Sequence, residues 1–302
     1  MFTQNQALKD LWIQIAKYDQ DYYDSAIMPE GVVVSEDIYY ANSSDPMQSL
    51  EIIRPIGLNK LSPVIVHIHG GGWVYGHKDT YYKYYCMELS KRGYTVLNIN
   101  YRLAFDHPFP ACIHDIFAVF TWMTLNAEKE KLDLNHVYLV GDSAGAHLSA
   151  LCTQIHLSQQ LQKLYRVKAS PIKIIALGLS CGLYDIQRHM KHVSDPMDLM
   201  LFRTVFNRRD IEKHPFFELS SVSKNLYKDF PPAYVLSSVY DLDLNPETLA
   251  LVHELKSLNL CYKSRIMPEK LKLSHVFNIK LMVKESIEVM DEMHAFFQSF
   301  TA

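Results

Sequence analysis

The residues with the most chemistry in them lie in His136-Val-Tyr-Leu-Val-Gly-Asp-Ser-Ala-Gly-Ala-His147, where an apolar, β-branched run passes directly into Gly-x-Ser-x-Gly and then into helix formers. A strand that turns this sharply into a helix holds its central residue in a strained conformation and lifts the hydroxyl of Ser143 clear of the sheet. Gly141 and Gly145 lack the Cβ that would obstruct the turn. A serine hydroxyl is a poor nucleophile at neutral pH, so it needs a base to take its proton and an acid to orient that base. Both follow in the chain. Tyr234-Val-Leu-Ser-Ser-Val-Tyr-Asp241 is an apolar run that ends in a carboxylate, with Asp243 two positions on as the alternative. His275 lies in the connection after the last β-rich run, where the base belongs, whereas His253 and His294 fall inside helical patterns and His67, His77 and His114 precede the serine.

Acyl transfer also needs donors for the oxygen that gains negative charge in the tetrahedral intermediate. Val66-His-Ile-His69-Gly-Gly-Gly72-Trp73 offers them: a strand runs into three glycines whose N–H groups no side chain blocks. Gly71 and Gly72, with the N–H of Ala144 after the nucleophile, are the expected oxyanion hole. A phosphate-binding loop, the other reading of such a segment, calls for a Gly-Lys-Ser/Thr ending that this one lacks. Asp142, beside the nucleophile, is expected to brace the turn. Trp73 and Tyr75 are expected to contact substrate; Tyr81, Tyr82, Tyr84 and Tyr85 suit either an apolar pocket or the packed face of a helix.

These residues require a sheet edge to hold them. Strand patterns at Val64–His69, Thr95–Ile99, Val137–Val140, Ile172–Leu177, Tyr234–Ser238 and Tyr262–Ile266 alternate with helical patterns near 79–92, 111–127, 144–158, 246–259 and 279–299. Such alternation predicts parallel βαβ units and a sheet covered on both faces. Val32–Tyr40 and Leu50–Ile53, separated by Asn42-Ser-Ser-Asp-Pro46, predict an antiparallel opening pair, for about eight strands in all. Residues 7–24 carry Leu8, Leu11, Trp12, Ile15 and Tyr18 at helical spacing, a helix suited to a lid or a dimer contact. Residues 1–45 thus form an N-terminal helical segment and opening strand, and 46–302 an α/β catalytic domain. A small helical cap is inserted at about 182–230, helical near 196–207, where an open α/β sheet places its ligand.

At 302 residues with 48% hydrophobic content the chain can bury a large core. A net charge of −3 with scattered Lys and Arg excludes a basic nucleic-acid footprint. The five cysteines, Cys86, Cys112, Cys152, Cys181 and Cys261, are odd in number and widely spaced, and read as reduced core residues. No zinc or calcium motif stands out, so a cofactor-free protein is expected. Neither a secretory leader nor a membrane span is apparent, which places the protein in the cytoplasm.

Taken together, the segments resemble the hormone-sensitive-lipase branch of the α/β-hydrolase esterases over about residues 45–300. His69-Gly-Gly-Gly-Trp73 is similar to the family's oxyanion motif, Gly141-Asp-Ser-Ala-Gly145 to its elbow, and Tyr240-Asp-Leu-Asp-Leu244 to its acid loop. Asn100-Tyr-Arg-Leu-Ala-Phe-Asp-His-Pro-Phe-Pro-Ala111 is similar to a further family segment, which implies that Tyr101 and Arg102 support the oxyanion loop. Phe105 replaces a usual proline, Val276 a usual glycine, and Ala146-His147 a usual Gly-Asn. The resemblance implies a serine carboxylesterase acting through Ser143, His275 and Asp241, and the aromatic bulk of Trp73, Tyr75 and the tyrosines that follow points to small, short-chain acyl esters. Amidases and formamidases of the same fold are the alternative, and a non-catalytic ligand-binding homologue is a more distant one. A homodimer is compatible with these features.

Overall fold

The computed structural model describes residues 5–192 and 195–300. Among them the β-rich runs form one eight-stranded sheet in the order β1-β2-β4-β3-β5-β6-β7-β8. The strands are β1 (Val32–Tyr39), β2 (Ser49–Pro55), β3 (Ser62–Ile68), β4 (Thr95–Ile99), β5 (Leu132–Asp142), β6 (Ile174–Ser180), β7 (Ala233–Ser238) and β8 (Tyr262–Met267). β2 pairs antiparallel with β1 and with β4, and the remaining pairs are parallel. The opening pair is therefore antiparallel, as its turn-rich separator implies, and the βαβ alternation produces the parallel remainder.

The period of two along each strand divides the core. On β3, Val64, Val66 and Ile68 enter one apolar cluster and Ile65 the other; on β5, Val137 and Leu139 oppose Tyr138 and Val140. Helices α3 (Ala111–Asn126) and α4 (Ala144–Leu157) cover the first face, while α2 (Tyr81–Ser90) and α9 (Lys284–Gln298) cover the second. Each fully buried aliphatic or aromatic side chain contributes about 1.5–3 kcal/mol, so register is set by burial on both faces at once.

The observed boundaries differ from the expected ones where side-chain pattern is a poor guide. A short helix, α5 (Gln159–Tyr165), forms where none is expected, started by the Ser158 hydroxyl accepting from Leu161 N–H at 3.3 Å. The last helix begins at Lys284 rather than 279, after a separate turn at Phe277–Ile279. All five cysteines are free, and four are buried; Cys261 departs from the core expectation by lying at the surface.

Among the described residues of 182–230 lie two α-helices, α6 (Ile186–His192) and α7 (Pro196–Val205). Asp195 accepts from Met197 N–H at 2.8 Å and Pro196 opens the first turn, so α7 starts with both a cap and a preset φ. The N-terminal helix α1 (Asn5–Ser25) packs against α7 and α2. The helix of the acid side, α8 (Asn245–Ser257), follows β7. No helix of the described residues is long and apolar enough to cross a membrane.

Candidate active site

The turn between β5 and α4 places Ser143 at φ +50°, ψ −119°, a conformation that a non-glycine residue adopts only under constraint from its surroundings. Ser143 N–H donates to the Ser180 carbonyl at 2.8 Å, and its own carbonyl accepts from His147 N–H at 3.2 Å. A Cβ on Gly145 would overlap the Ile68 carbonyl, and one on Gly141 would press on the Gly145 backbone. Both glycines are therefore demanded by close backbone approach.

β7 delivers Asp241 and the connection after β8 delivers His275. His275 Nε2 lies 3.0 Å from Ser143 Oγ, and Nδ1 lies 2.7 Å from Asp241 Oδ2. Asp241 is buried, and its Oδ1 accepts from Leu244 N–H at 3.3 Å. Asp243, the alternative acid, instead lines the cavity in front of Ser143. Burial works against the imidazolium of His275, but the Asp241 carboxylate outweighs it and raises the ring's pKa above the ordinary histidine value. The ligand-type atoms of Cys181, Asp241 and His275 all lie within 4.8 Å of one another. Burial pushes the Cys181 thiol's pKa up, which keeps it protonated beside the pair.

The glycine segment curls at the mouth of this group. Gly71, Gly72 and Trp73 all have positive φ, and the Gly71 carbonyl accepts from Val74 and Tyr75 N–H at 3.1 and 2.9 Å. A Cβ on Gly71 would overlap the Tyr75 carbonyl. Gly72 and Ala144 line the cavity, Ala144 as the first residue of α4, whose N–H has no partner within the helix; Gly71 stands one residue behind.

Two tethers hold the loop. The Tyr101 hydroxyl donates to the His69 carbonyl at 2.9 Å while its ring stacks on the His69 imidazole, centroids 4.3 Å apart. Burial lowers the pKa of His69 to about 3, so that ring is neutral. Gly70 N–H donates to Tyr82 Oη at 3.0 Å, and that hydroxyl donates to Asp142 Oδ2, also at 3.0 Å. Asp142 thereby connects the elbow to the glycine loop, and its burial raises its pKa to about 7. Arg102 supports the next segment through a bidentate contact with buried Asp115, with N–O distances of 2.8–3.0 Å.

The cavity in front of Ser143 measures about 320 Å³ and is walled by Trp12, Trp73, Leu183, Leu201, Phe202 and Leu244, with His189, Asp198 and Asp243 on its polar side. Trp73 lies where substrate contact was expected. Tyr75 does not line this cavity: its ring stacks on Trp12 at 5.3 Å and its hydroxyl donates to Asp19 at 3.2 Å, so it backs the wall. Tyr81, Tyr82 and Tyr85 are buried in the packing of α2, and Tyr84 packs on Tyr23 of α1 with centroids 4.5 Å apart. His147, which stands where the family usually has Asn, meets Trp73 edge-on at 5.3 Å, and its Nε2 lies 2.8 Å from the Ser220 carbonyl. The contributions of Trp12, Leu201 and Phe202 went unforeseen. Their helical spacing showed that α1 and α7 bury a face, without showing that the two faces meet over Ser143.

Residues 50–251 match the BD-FAE family. Esterase LipC of Mycobacterium tuberculosis is 29% identical over 199 residues, 65% of this chain and 49% of its own length. A putative α/β hydrolase of Acanthamoeba polyphaga mimivirus is 31% identical over 137 residues, 45% of this chain and 37% of its own. The chain thus spans about half the length, or less, of these curated relatives. Esterase B of Lactobacillus rhamnosis, solved as a tributyrin phosphonate-inhibited form, superposes with a TM-score of 0.89 at 30% identity over 98% of this chain and 95% of that one. The esterase of Pyrobaculum calidifontis shares the fold, with a TM-score of 0.76 at 22% identity over 97% and 93% of the two chains. With this match in sequence and topology, the chain belongs to the BD-FAE family of hormone-sensitive-lipase-like esterases, on the α/β-hydrolase fold.

Proposed function

We propose that the protein is a serine carboxylesterase for short-chain acyl esters. The observation that carries this reading is the unbroken relay from Ser143 Oγ through His275 to Asp241, with distances of 3.0 and 2.7 Å, opening on a small apolar cavity. The deprotonated form of His275, the one competent as a base, takes the Ser143 proton at Nε2 as Oγ attacks the ester carbonyl. Asp241 holds the proton on Nδ1 and stabilises the imidazolium. The N–H groups of Gly71, Gly72 and Ala144 receive the oxyanion, each such donor being worth about 2.7–4 kcal/mol in a water-poor site. The C–O bond to the alcohol breaks as His275 returns its proton to the leaving oxygen. Water then enters, gives a proton to His275 and attacks the acyl-enzyme, releasing the acid and restoring Ser143.

A cavity of about 320 Å³ between Trp12, Trp73 and Phe202 favours a short acyl chain, as does the tributyrin-derived inhibitor of the Lactobacillus relative. The free thiols favour a reducing compartment, the cytoplasm.

The test is hydrolysis of p-nitrophenyl esters from acetate to decanoate, beside an N-formyl arylamine, by the native protein and Ser143→Ala. The native protein should act on the short esters, and the variant should lose on the order of 10⁴-fold or more in kcat with its fold intact. Turnover of the formyl amide without the esters would move the reading to an amidase. Equal rates in the variant would remove Ser143 from the chemistry.

A further inference from the structure

The cavity in front of Ser143 has two unlike ends. At one, Trp12 and Leu201 pack directly on Gly72: a Cβ there would lie 3.0 Å from the indole and 3.4 Å from a Leu201 methyl group. That end is apolar and adjoins the oxyanion donors. At the other, Asp243 follows two residues after Asp241, whose carboxylate holds His275, and His189 and Asp198 line the same neighbouring recess as Asp243. That end is polar and adjoins the base. His275 must reach the leaving oxygen to return its proton, which puts the alcohol arm of an ester on the polar side and the acyl arm on the glycine side.

His189, on α6, is the partly sheltered member of the polar end, its side chain 15% exposed and its ring edge-on to Phe202 at 5.8 Å. Its Nδ1 lies 3.9 Å from Glu247 Oε1 and its Nε2 3.8 Å from Asp198 Oδ2, both outside hydrogen-bond range. Glu247 is buried, whereas the Asp198 side chain is 44% exposed and lines the cavity, so the gap at Nε2 is the accessible one. An oxygen beside that gap can lie about 2.8 Å from Nε2 and Oδ2 together. It has to accept from the first and donate to the second. A hydroxyl does both; an ether oxygen cannot donate, an ammonium cannot accept, and a methyl group does neither.

We propose that His189 selects the alcohol: its Nε2 donates to a hydroxyl carried on the leaving arm, and that hydroxyl donates to Asp198. The enzyme then prefers monoesters of diols to alkyl esters of equal length. This rests on the carboxylesterase reading of Ser143. In a cavity with few polar groups, such a pair fixes the orientation of the alcohol arm relative to His275.

The experiment measures kcat/KM of the intact protein on the monobutyrates of ethylene glycol, 1,3-propanediol and 1,4-butanediol. The comparators are the butyrates of propanol, butanol and pentanol, and those of the three diols' monomethyl ethers. At one length or more the hydroxyl should exceed the methyl terminus about ten-fold, the scale of a pair of net hydrogen bonds, with the ether below the hydroxyl. In His189→Leu that ratio should fall below about two-fold, and His189→Gln, which keeps an N–H donor, should restore part of it. A role in packing alone would slow hydroxyalkyl and alkyl esters together and leave the ratio in place, which overturns the proposal. If His189→Leu fails to fold, the native ranking and His189→Gln decide, and an ether equal to the hydroxyl is then the overturning result. Ethyl 6-hydroxyhexanoate should gain nothing over ethyl heptanoate; a gain on that arm instead of the alcohol arm overturns the assignment. Hydroxyalkyl and alkyl esters cleaved alike at every length overturn the proposal and leave the hydrolase standing. No hydrolysis of any member would overturn the underlying reading as well.

Discussion

Ser143 and Asp142 are adjacent in sequence, yet the sheet edge treats them oppositely. The first is turned outward into the cavity, and the second is driven inward under the glycine loop, where the Tyr82 hydroxyl donates to its Oδ2. Because burial lifts Asp142 from the ordinary 3.8 to about 7, the folded protein keeps a proton there that the unfolded chain releases. Stability from this group is therefore fully present below about pH 4 and declines as pH rises through 7, by up to about 4 kcal/mol over a shift of this size. Asp142→Asn keeps an acceptor for Tyr82 and removes the titration. Relative to native protein, its urea midpoint should rise from pH 4 to about 7 and then level off; parallel pH profiles would contradict the inward, protonated placement. That Ser143, His275 and Asp241 would come together was legible because each follows a strand pattern. Val276 shows where legibility ended: at φ +50° it occupies a backbone state that favours glycine, so the usual glycine signal beside the base is missing from the sequence although the geometry that calls for it is present.

At the level of elements, β3, β5 and α4 approach so closely that backbone replaces side chain as the packing surface. Gly145 sits against the Ile68 and His69 carbonyls, whereas Gly31, also at a chain reversal with φ +87°, has no atom within 4 Å of the place a methyl group would take. Gly145→Ala should therefore cost more than about 3 kcal/mol and abolish activity, while Gly31→Ala should cost only the strain of a positive φ, about 1 kcal/mol. Thermal unfolding of the two variants checks this, and equal losses would mean that the β5–α4 turn can open. Strand and helix periodicity made the sheet readable from sequence. The short α5 and the late start of α9 were not readable, since one depends on a single capping hydroxyl and the other on a turn folded between two apolar residues.

For the whole molecule, the decisive contact is between the first helix and the inserted one. Buried Leu8 anchors α1, and Asp19 accepts from the hydroxyls of Tyr75 and Tyr81 at 3.2 and 3.3 Å, so that Trp12 is held in the cavity wall opposite α7. Trp12→Ala leaves those anchors in place and should widen the acyl chamber, raising KM for acetate and butyrate esters about three- to ten-fold and moving the chain-length optimum upward. An unchanged chain-length profile would show that α1 takes no part in fit. Sequence periodicity gave α1 an apolar face without a destination, because the partner face lies nearly two hundred residues downstream. The proposed nucleophile, acid and base all come after residue 140, whereas part of the cavity wall is encoded before residue 26. Selectivity and chemistry are therefore separable along the gene: exchange of the opening segment among related chains would vary what is accepted while leaving how it is cleaved untouched.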